Sequence, residues 1–265
     1  MEEQQKTVWI TGASSGIGLA FARAYAARGY RLILTARREK RLEALAQKLD
    51  TPCRILPADL ASEEECHRIC EQLQDETIDI FINNAGFGTC GSFAQTDLEK
   101  EVAMIDVNVR AMHILCKRML VQMKARGQGT IVNVASSAGL LPAGPYMAAY
   151  YASKSYVVSL TKGIAEELRE EKSDVYVCAL CPGPVDTEFN EHADVVFALK
   201  GISPQQCVRE TLRAMGHRKT IIVPSFFVGL GAVLQRLVPD GILLPLIASR
   251  QKKKTGSGRH ESAES

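Results

Sequence analysis

Seven short runs rich in valine, isoleucine and leucine recur along this chain, and nearly every one is followed by a segment with helix-spaced apolar residues. The runs are KTVWIT from Lys6, RLILTA from Arg31, CRILPADL from Cys53, IDIFINNAG from Ile78, GTIVNVASS from Gly129, DVYVCAL from Asp174 and TIIVP from Thr220. They lack strict polar alternation, as strands covered on both faces by crossover helices do. Helices are expected over Gly16–Arg28, stopped at Gly29, and over Arg38–Leu49. Another starts at Ser62, with Glu65 three residues on as a capping box. Longer helices are expected over about Asp97–Ala125 and Ala149–Glu170, and a further one over Pro204–Met215. Repeated strand–helix units predict a single-domain α/β fold, a Rossmann-like doubly wound parallel sheet of about seven strands. With no linker or repeat visible, residues 1–250 are read as one domain and 251–265 as a disordered polar tail.

Composition narrows the class. The net charge is +2, so charge offers no argument for a nucleic-acid partner. The opening MEEQQKTVWITG is acidic and passes directly into a strand, so no secretory signal is read there. The most apolar stretch, Ile221 to Ala248, is interrupted by Gln235-Arg236 and Pro239-Asp240, which leaves no bilayer span. Eight cysteines without the dense spacing of a secreted scaffold are expected to be reduced thiols in a cytoplasmic protein. Cys178 and Cys181 form a C-x-x-C on a predicted strand; residues three apart there face opposite sides, so no metal site is expected.

The turn after the first strand, TGASSGIG, carries Gly12, Gly16 and Gly18. Glycine permits the tight turn and lets a pyrophosphate approach the backbone of Ser14, Ser15 and Ile17, while the free N–H groups of the helix start bind the anion. The spacing G-x-x-x-G-x-G differs from the commoner dinucleotide fingerprint G-x-G-x-x-G. At the end of the second strand, where an acid would bind the ribose of NAD, stand Ala36 and then Arg37 and Arg38. Two cations there favour the 2′-phosphate of NADP.

A cluster of phenols surrounds one ammonium in PYMAAYYASKSY: Tyr146, Tyr150, Tyr151 and Tyr156 with Lys154. A phenol with a nearby ammonium is suited to proton transfer, because the cation favours the phenolate. Tyr150 and Tyr151 lie four and three residues before Lys154, so helix spacing lets either reach it. NVASSAG likewise offers two serines, Ser136 and Ser137.

With TGASSGIG, NNAG (Asn83–Gly86), Y-x-x-x-K (Tyr150–Lys154) and PGPVDT (Pro182–Thr187) in this order, the chain closely resembles the short-chain dehydrogenase/reductase family over about residues 6–190. The resemblance implies an NADP(H)-dependent oxidoreductase with a catalytic group of Ser136, Tyr150, Lys154 and Asn108. In the family the asparagine holds a water that links the lysine to solvent. The resemblance also implies adenine contacts at Asp59 and Leu60, a turn of Asn84, Ala85 and Gly86 beneath the ribose and nicotinamide, and cofactor contacts at Pro182, Gly183, Val185 and Thr187. The expected substrate is a small carbonyl compound or alcohol, and the expected assembly a homodimer or homotetramer with the Asp97 and Ala149 helices as contact faces. A 3-oxoacyl-thioester reductase and a non-catalytic NADP-binding regulator are the alternatives.

Residues 187–203 are expected to form a substrate lid. Phe189, Val195, Val196 and Phe197 there, with Phe87, Phe93, Leu141 and Met147, suggest an apolar pocket. Residues 224–249 form an apolar extension absent from many relatives. Three roles are open to it: a subunit contact, a lid on the pocket, or a peripheral membrane contact ending in lysines.

Overall fold

The computed structural model describes residues 5–186 and 201–256. The chain begins β1 (Thr7–Thr11), α1 (Gly16–Ala26), β2 (Arg31–Thr35), α2 (Glu39–Ala46), β3 (Cys53–Ile55), α3 (Glu63–Gln72) and β4 (Ile80–Asn83). It continues α4 (Leu98–Ile105), α5 (Met112–Arg126), β5 (Thr130–Val134), α6 (Ala148–Glu170) and β6 (Tyr176–Leu180). The last elements are α7 (Pro204–Gly216), β7 (Ile221–Ile222), α8 (Phe226–Leu234) and α9 (Asp240–Gly256). The seven strands form one sheet in the order β3-β2-β1-β4-β5-β6-β7, and every pairing is parallel.

The sheet is apolar on both faces, and its pleat sorts the side chains into two layers. Trp9, Ile33, Phe81, Ile131 and Val177 pack with α3, α5 and α6 through Ile69, Leu115, Met119 and Val157. Ile10, Leu34, Ile82, Val132 and Cys178 point the other way and pack with α1, α2 and α7 through Phe21, Leu42 and Val208. Each face thus loses its water contact, which is why none of these strands alternates. Cys178 and Cys181 fall in opposite layers, as the strand reading expects, and all eight cysteines are free thiols.

Strand order reverses between β1 and β4, so the carboxyl ends of these two strands open a crevice. Thr11 closes its floor. Its hydroxyl accepts from the backbone N–H of Asn84 at 2.9 Å and of Ala85 at 3.1 Å, so the end of β1 holds the turn after β4. A buried amide pair stiffens the next junction: Asn83 and Asn133 stand in register on β4 and β5. Asn83 Nδ2 donates to the Met112 carbonyl, and Asn133 Nδ2 to Thr161 Oγ1, tying α5 and α6 to the sheet.

Three expectations need correction. The long helix from Asp97 is not continuously α-helical; a π-helical turn, Asp106–Ala111, separates α4 from α5. That turn carries Asn108, whose side chain bonds inward rather than to solvent. At α3, Ser62 Oγ accepts from Glu65 N as a cap should, but the Glu65 carboxylate pairs with Arg68, so only half of the capping box forms. The polar end is also shorter than read. α9 continues through Gly256, and Gln251 is buried. Among the described residues no helix is long and apolar enough to cross a membrane.

Candidate active site

The glycine turn leads straight from β1 into α1. Gly12 (φ +64) and Gly16 (φ +54) occupy the left-handed region, where a side chain is strained. At the first turn of α1, Ser15 makes no side-chain cap bond and no acid is present, which leaves the helix N-terminus suited to an anion. Gly18 has a different task. A Cβ there would press on the Gly12 carbonyl, closer than real contacts allow, and on Asn84 Nδ2. Gly18→Ala should therefore cost about 1–3 kcal/mol, seen as a fall in Tm of several degrees on thermal unfolding.

A cleft of about 460 Å³ runs from this turn to the start of α6. Gly12, Ser14, Ser15, Gly16 and Ile17 line it, with Arg37, Arg38, Asp59 and Leu60 at one end. Arg37 is exposed, whereas Arg38 is half-buried and donates to Ser14 Oγ at 3.2 Å and Ser15 Oγ at 3.1 Å. The second arginine thus also braces the glycine turn. Asp59 caps its own turn, accepting from Ala61 N at 3.1 Å. Asn84, Ala85 and Gly86 line the middle, and Pro182, Gly183 and Val185 the opposite wall. Asn84 acts partly as a strut, its Nδ2 donating to the Thr11 carbonyl at 2.9 Å. Gly18 lies behind the cleft rather than in its lining, and Thr187 lies outside the described residues, as do Phe189, Val195, Val196 and Phe197 of the expected lid.

At the far end Ser136, Tyr150 and Lys154 converge. Ser136 stands beside the Tyr150 phenol and favours its ionised form, while its hydroxyl accepts from Ala138 N at 3.1 Å. Lys154 Nζ lies 6.0 Å from the centroid of the Tyr150 ring and donates to the Val134 carbonyl at 3.1 Å. Asn108 is 1% exposed. It grips both backbone groups of Phe87: Oδ1 accepts from Phe87 N at 3.1 Å, and Nδ2 donates to Phe87 O at 2.8 Å. Asn108 Nδ2 also donates to Ser153 Oγ at 3.2 Å. Gly86 lets these groups meet, for a Cβ there would sit 2.7 Å from Asn108 Oδ1 and 3.2 Å from Lys154 Nζ.

Burial dominates the electrostatics. It pushes the Tyr150 phenol up to about 12, against the opposing hydrogen bond from Ser136. The ammonium was expected to lower this phenol, but burial sets the direction here and Lys154 is not among its causes. Lys154 is itself pushed down to about 8, again by burial. Its folded pKa lies below the unfolded 10.5, so the native state resists the cation. That penalty is present in full below about pH 8 and disappears as pH rises to 10.5. Lys154→Met removes it. The stability of this variant relative to the natural chain should therefore fall by up to about 3 kcal/mol between pH 7 and 10.5, as urea unfolding at the two pH values would show.

The family model for short chain dehydrogenases matches residues 6–195. The chain belongs to the short-chain dehydrogenase/reductase family. Members of this oxidoreductase family resemble it at similar levels. An uncharacterized oxidoreductase of Staphylococcus epidermidis is 32% identical over 194 residues, covering 72% of this chain and 83% of its own. Dehydrogenase/reductase SDR family member 7B of Bos taurus is 29% identical over 272 residues, covering 94% of this chain and 82% of its own. Among solved structures, a short-chain dehydrogenase from Sphingobium yanoikuyae in complex with NADPH superposes with a TM-score of 0.78 at 29% identity, covering 98% of each chain.

Three parts of this dehydrogenase's site were not singled out in the sequence. Thr11 was read only as strand. Ser153, which bonds Asn108 and the Tyr150 carbonyl, carried a signal in its place beside Lys154. Gln251 lines the cleft although it was assigned to the tail, since nothing local shows which distant wall a polar residue will meet. The C-terminal residues lie against the body: Val228 beside Gly183, Gln235 donating to the Leu140 carbonyl, Gln251 donating to Tyr151, and Lys252 over the Tyr146 ring. Of these C-terminal residues Gln251 lines the cleft. Leu230, Leu234, Leu237, Ile242 and Leu246 face outward.

Proposed function

We propose that the chain is an NADPH-dependent carbonyl reductase, and in reverse an alcohol dehydrogenase, with Tyr150 as proton donor to an apolar ketone or aldehyde. The observation that carries this reading is the buried Tyr150 phenol, set beside Ser136 and Lys154 in a cleft whose other end carries two arginines. The NADPH complex of the Sphingobium relative supports the choice of nucleotide.

The uncapped start of α1 with Gly12, Ser14, Ser15, Gly16 and Ile17 would hold the pyrophosphate. Arg37 and Arg38 would meet the 2′-phosphate, and Asp59 and Leu60 the adenine. Asn84, Ala85, Gly86, Pro182, Gly183 and Val185 would flank the ribose and nicotinamide. The chemistry supplied by a bound nicotinamide is hydride transfer to a carbonyl carbon. Negative charge then grows on the substrate oxygen, where Ser136 donates a hydrogen bond and Tyr150 gives up its proton. The carbonyl leaves as the alcohol. A phenol held at about 12 remains protonated at neutral pH, as an acid must. Lys154 stabilises the phenolate until a proton returns from solvent, and Asn108 holds the Phe87 backbone beside it.

The test is titration with NADPH and NADH, followed by nucleotide consumption on a panel of ketones, diketones and 3-oxoacyl thioesters. NADPH binding with turnover of a ketone is expected. Turnover confined to thioesters would move the protein to acyl reduction. NADPH binding without any turnover would make it a regulator, and binding of neither nucleotide would overturn the reading. A homo-oligomer is proposed as well, because Leu98, Val102 and Ile105 of α4 and Tyr156 of α6 expose apolar surface; light scattering should report a dimer or tetramer.

A further inference from the structure

The deep end of the cleft contains a polar pair that the proton transfer does not use. Tyr151, next to Tyr150 on α6, and Gln251 on α9 both line it. Gln251 Nε2 donates to the Tyr151 hydroxyl at 2.9 Å, joining residues 100 apart in sequence. Gln251 is 4% exposed. Its carboxamide oxygen is buried and accepts no hydrogen bond among the described residues. The walls around the pair are apolar: Phe87, Ala138 and Met147.

Buried amide oxygens nearly always find a partner, because desolvation is otherwise uncompensated. A methionine or leucine at this position would pack against the same wall without that loss. The unmatched oxygen is itself enclosed, but it belongs to a residue that lines the cavity, so a ligand meets it once the carboxamide turns toward the cleft. The pair offers a donor as well. Having accepted from the amide, the Tyr151 hydroxyl keeps its own proton to give. Turning the carboxamide over exchanges the parts and leaves one donor and one acceptor unused all the same. A ketone oxygen only accepts, whereas a hydroxyl both donates and accepts, so a hydroxyl complements the pair in either orientation. Tyr150 and Tyr151 both line the cleft, their ring centroids 6.3 Å apart, so both phenols belong to one cavity.

We infer that Tyr151 and Gln251 form a second polar subsite that binds a hydroxyl group of the substrate away from the reacting carbonyl. The preferred substrate is then a hydroxyketone with an apolar body between its two oxygens, or the corresponding diol in the oxidative direction. This rests on the carbonyl-reductase reading above. The C-terminal helix α9 is thereby a determinant of specificity as well as a wall.

The experiment compares kcat/KM, with saturating NADPH, for 2-alkanones of five to ten carbons and their ω-hydroxy counterparts. The full-length protein should favour the hydroxylated member at one or two chain lengths by about tenfold or more, the worth of one or two hydrogen bonds. Gln251→Met should collapse that ratio to near one. A purely packing role for Gln251 would lower both members of a pair together and leave the ratio intact, which would overturn the inference. Tyr151→Phe is the second variant, should Gln251→Met fail to fold; it removes the phenolic partner, keeps the ring, and should collapse the same ratio. Plain ketones reduced with no preference for any hydroxylated member would remove the subsite and leave the reductase standing. Turnover of none of these compounds, nor of any ketone in the wider panel, would remove both.

Discussion

Tyr150→Phe should lower kcat/KM for ketone reduction by a factor of about 10²–10⁴, the usual worth of a positioned general acid, while NADPH still binds. The substitution removes one oxygen and leaves the ring in its packing against Met104, Ala138 and Met147. Folding and the nucleotide end of the cleft should therefore survive, and the loss should appear at the chemical step. Fluorescence titration with NADPH and steady-state rates separate the two. Tyr151 lies as close to Lys154 in sequence, so it is the control that matters. Ser136 stands beside Tyr150, whereas the Tyr151 hydroxyl accepts from Gln251. The loss at Tyr151→Phe should be at least tenfold smaller on plain ketones; equal losses would move the acid to Tyr151. A Tyr150→Phe variant that keeps full activity would refute the proton-transfer scheme.

Arg37→Ala should weaken NADPH by about tenfold or more and leave NADH within about twofold. A charge-assisted hydrogen bond contributes roughly 1.5–3 kcal/mol, and only NADPH carries the 2′-phosphate that can make it. Arg37 is the sharper probe of the two arginines because it is exposed. Arg38 also holds Ser14 and Ser15, so Arg38→Ala should loosen the glycine turn and weaken both nucleotides. The gap between NADPH and NADH should also narrow as salt rises, since an exposed guanidinium is screened. Equal weakening of both nucleotides by Arg37→Ala would end the argument for NADP.

Much of this molecule is legible in one dimension because its determinants are local. The pleat of a strand sorts alternate residues onto two faces, so RLILT and TIVNV announce a sheet covered on both sides before any partner is known. A glycine turn between a strand and a helix needs only its own backbone to make an anion site, and TGASSGIG states it in eight letters. Tyr150 and Lys154 meet because four residues make about one helical turn.

What tertiary structure decided is of another kind: which long-range neighbour a polar atom finds, and how deeply it is buried. Helix spacing could not choose between Tyr150 and Tyr151; the serine just beyond β5 stands beside one, and α9 reaches the other. Asn108 reads as a weak helix former, yet the π-helical turn and the Phe87 backbone show where its amide is used. The sign of the Tyr150 shift also depended on the fold. Sequence places a cation nearby, but only packing shows that burial sets the direction. Gln251 shows the limit most plainly. Its neighbours in the chain are Arg250 and three lysines and read as a solvated end, and its meaning comes from a tyrosine 100 residues away. Desolvation and pairing are properties of surroundings assembled from distant segments, and so they exist only once the chain has folded.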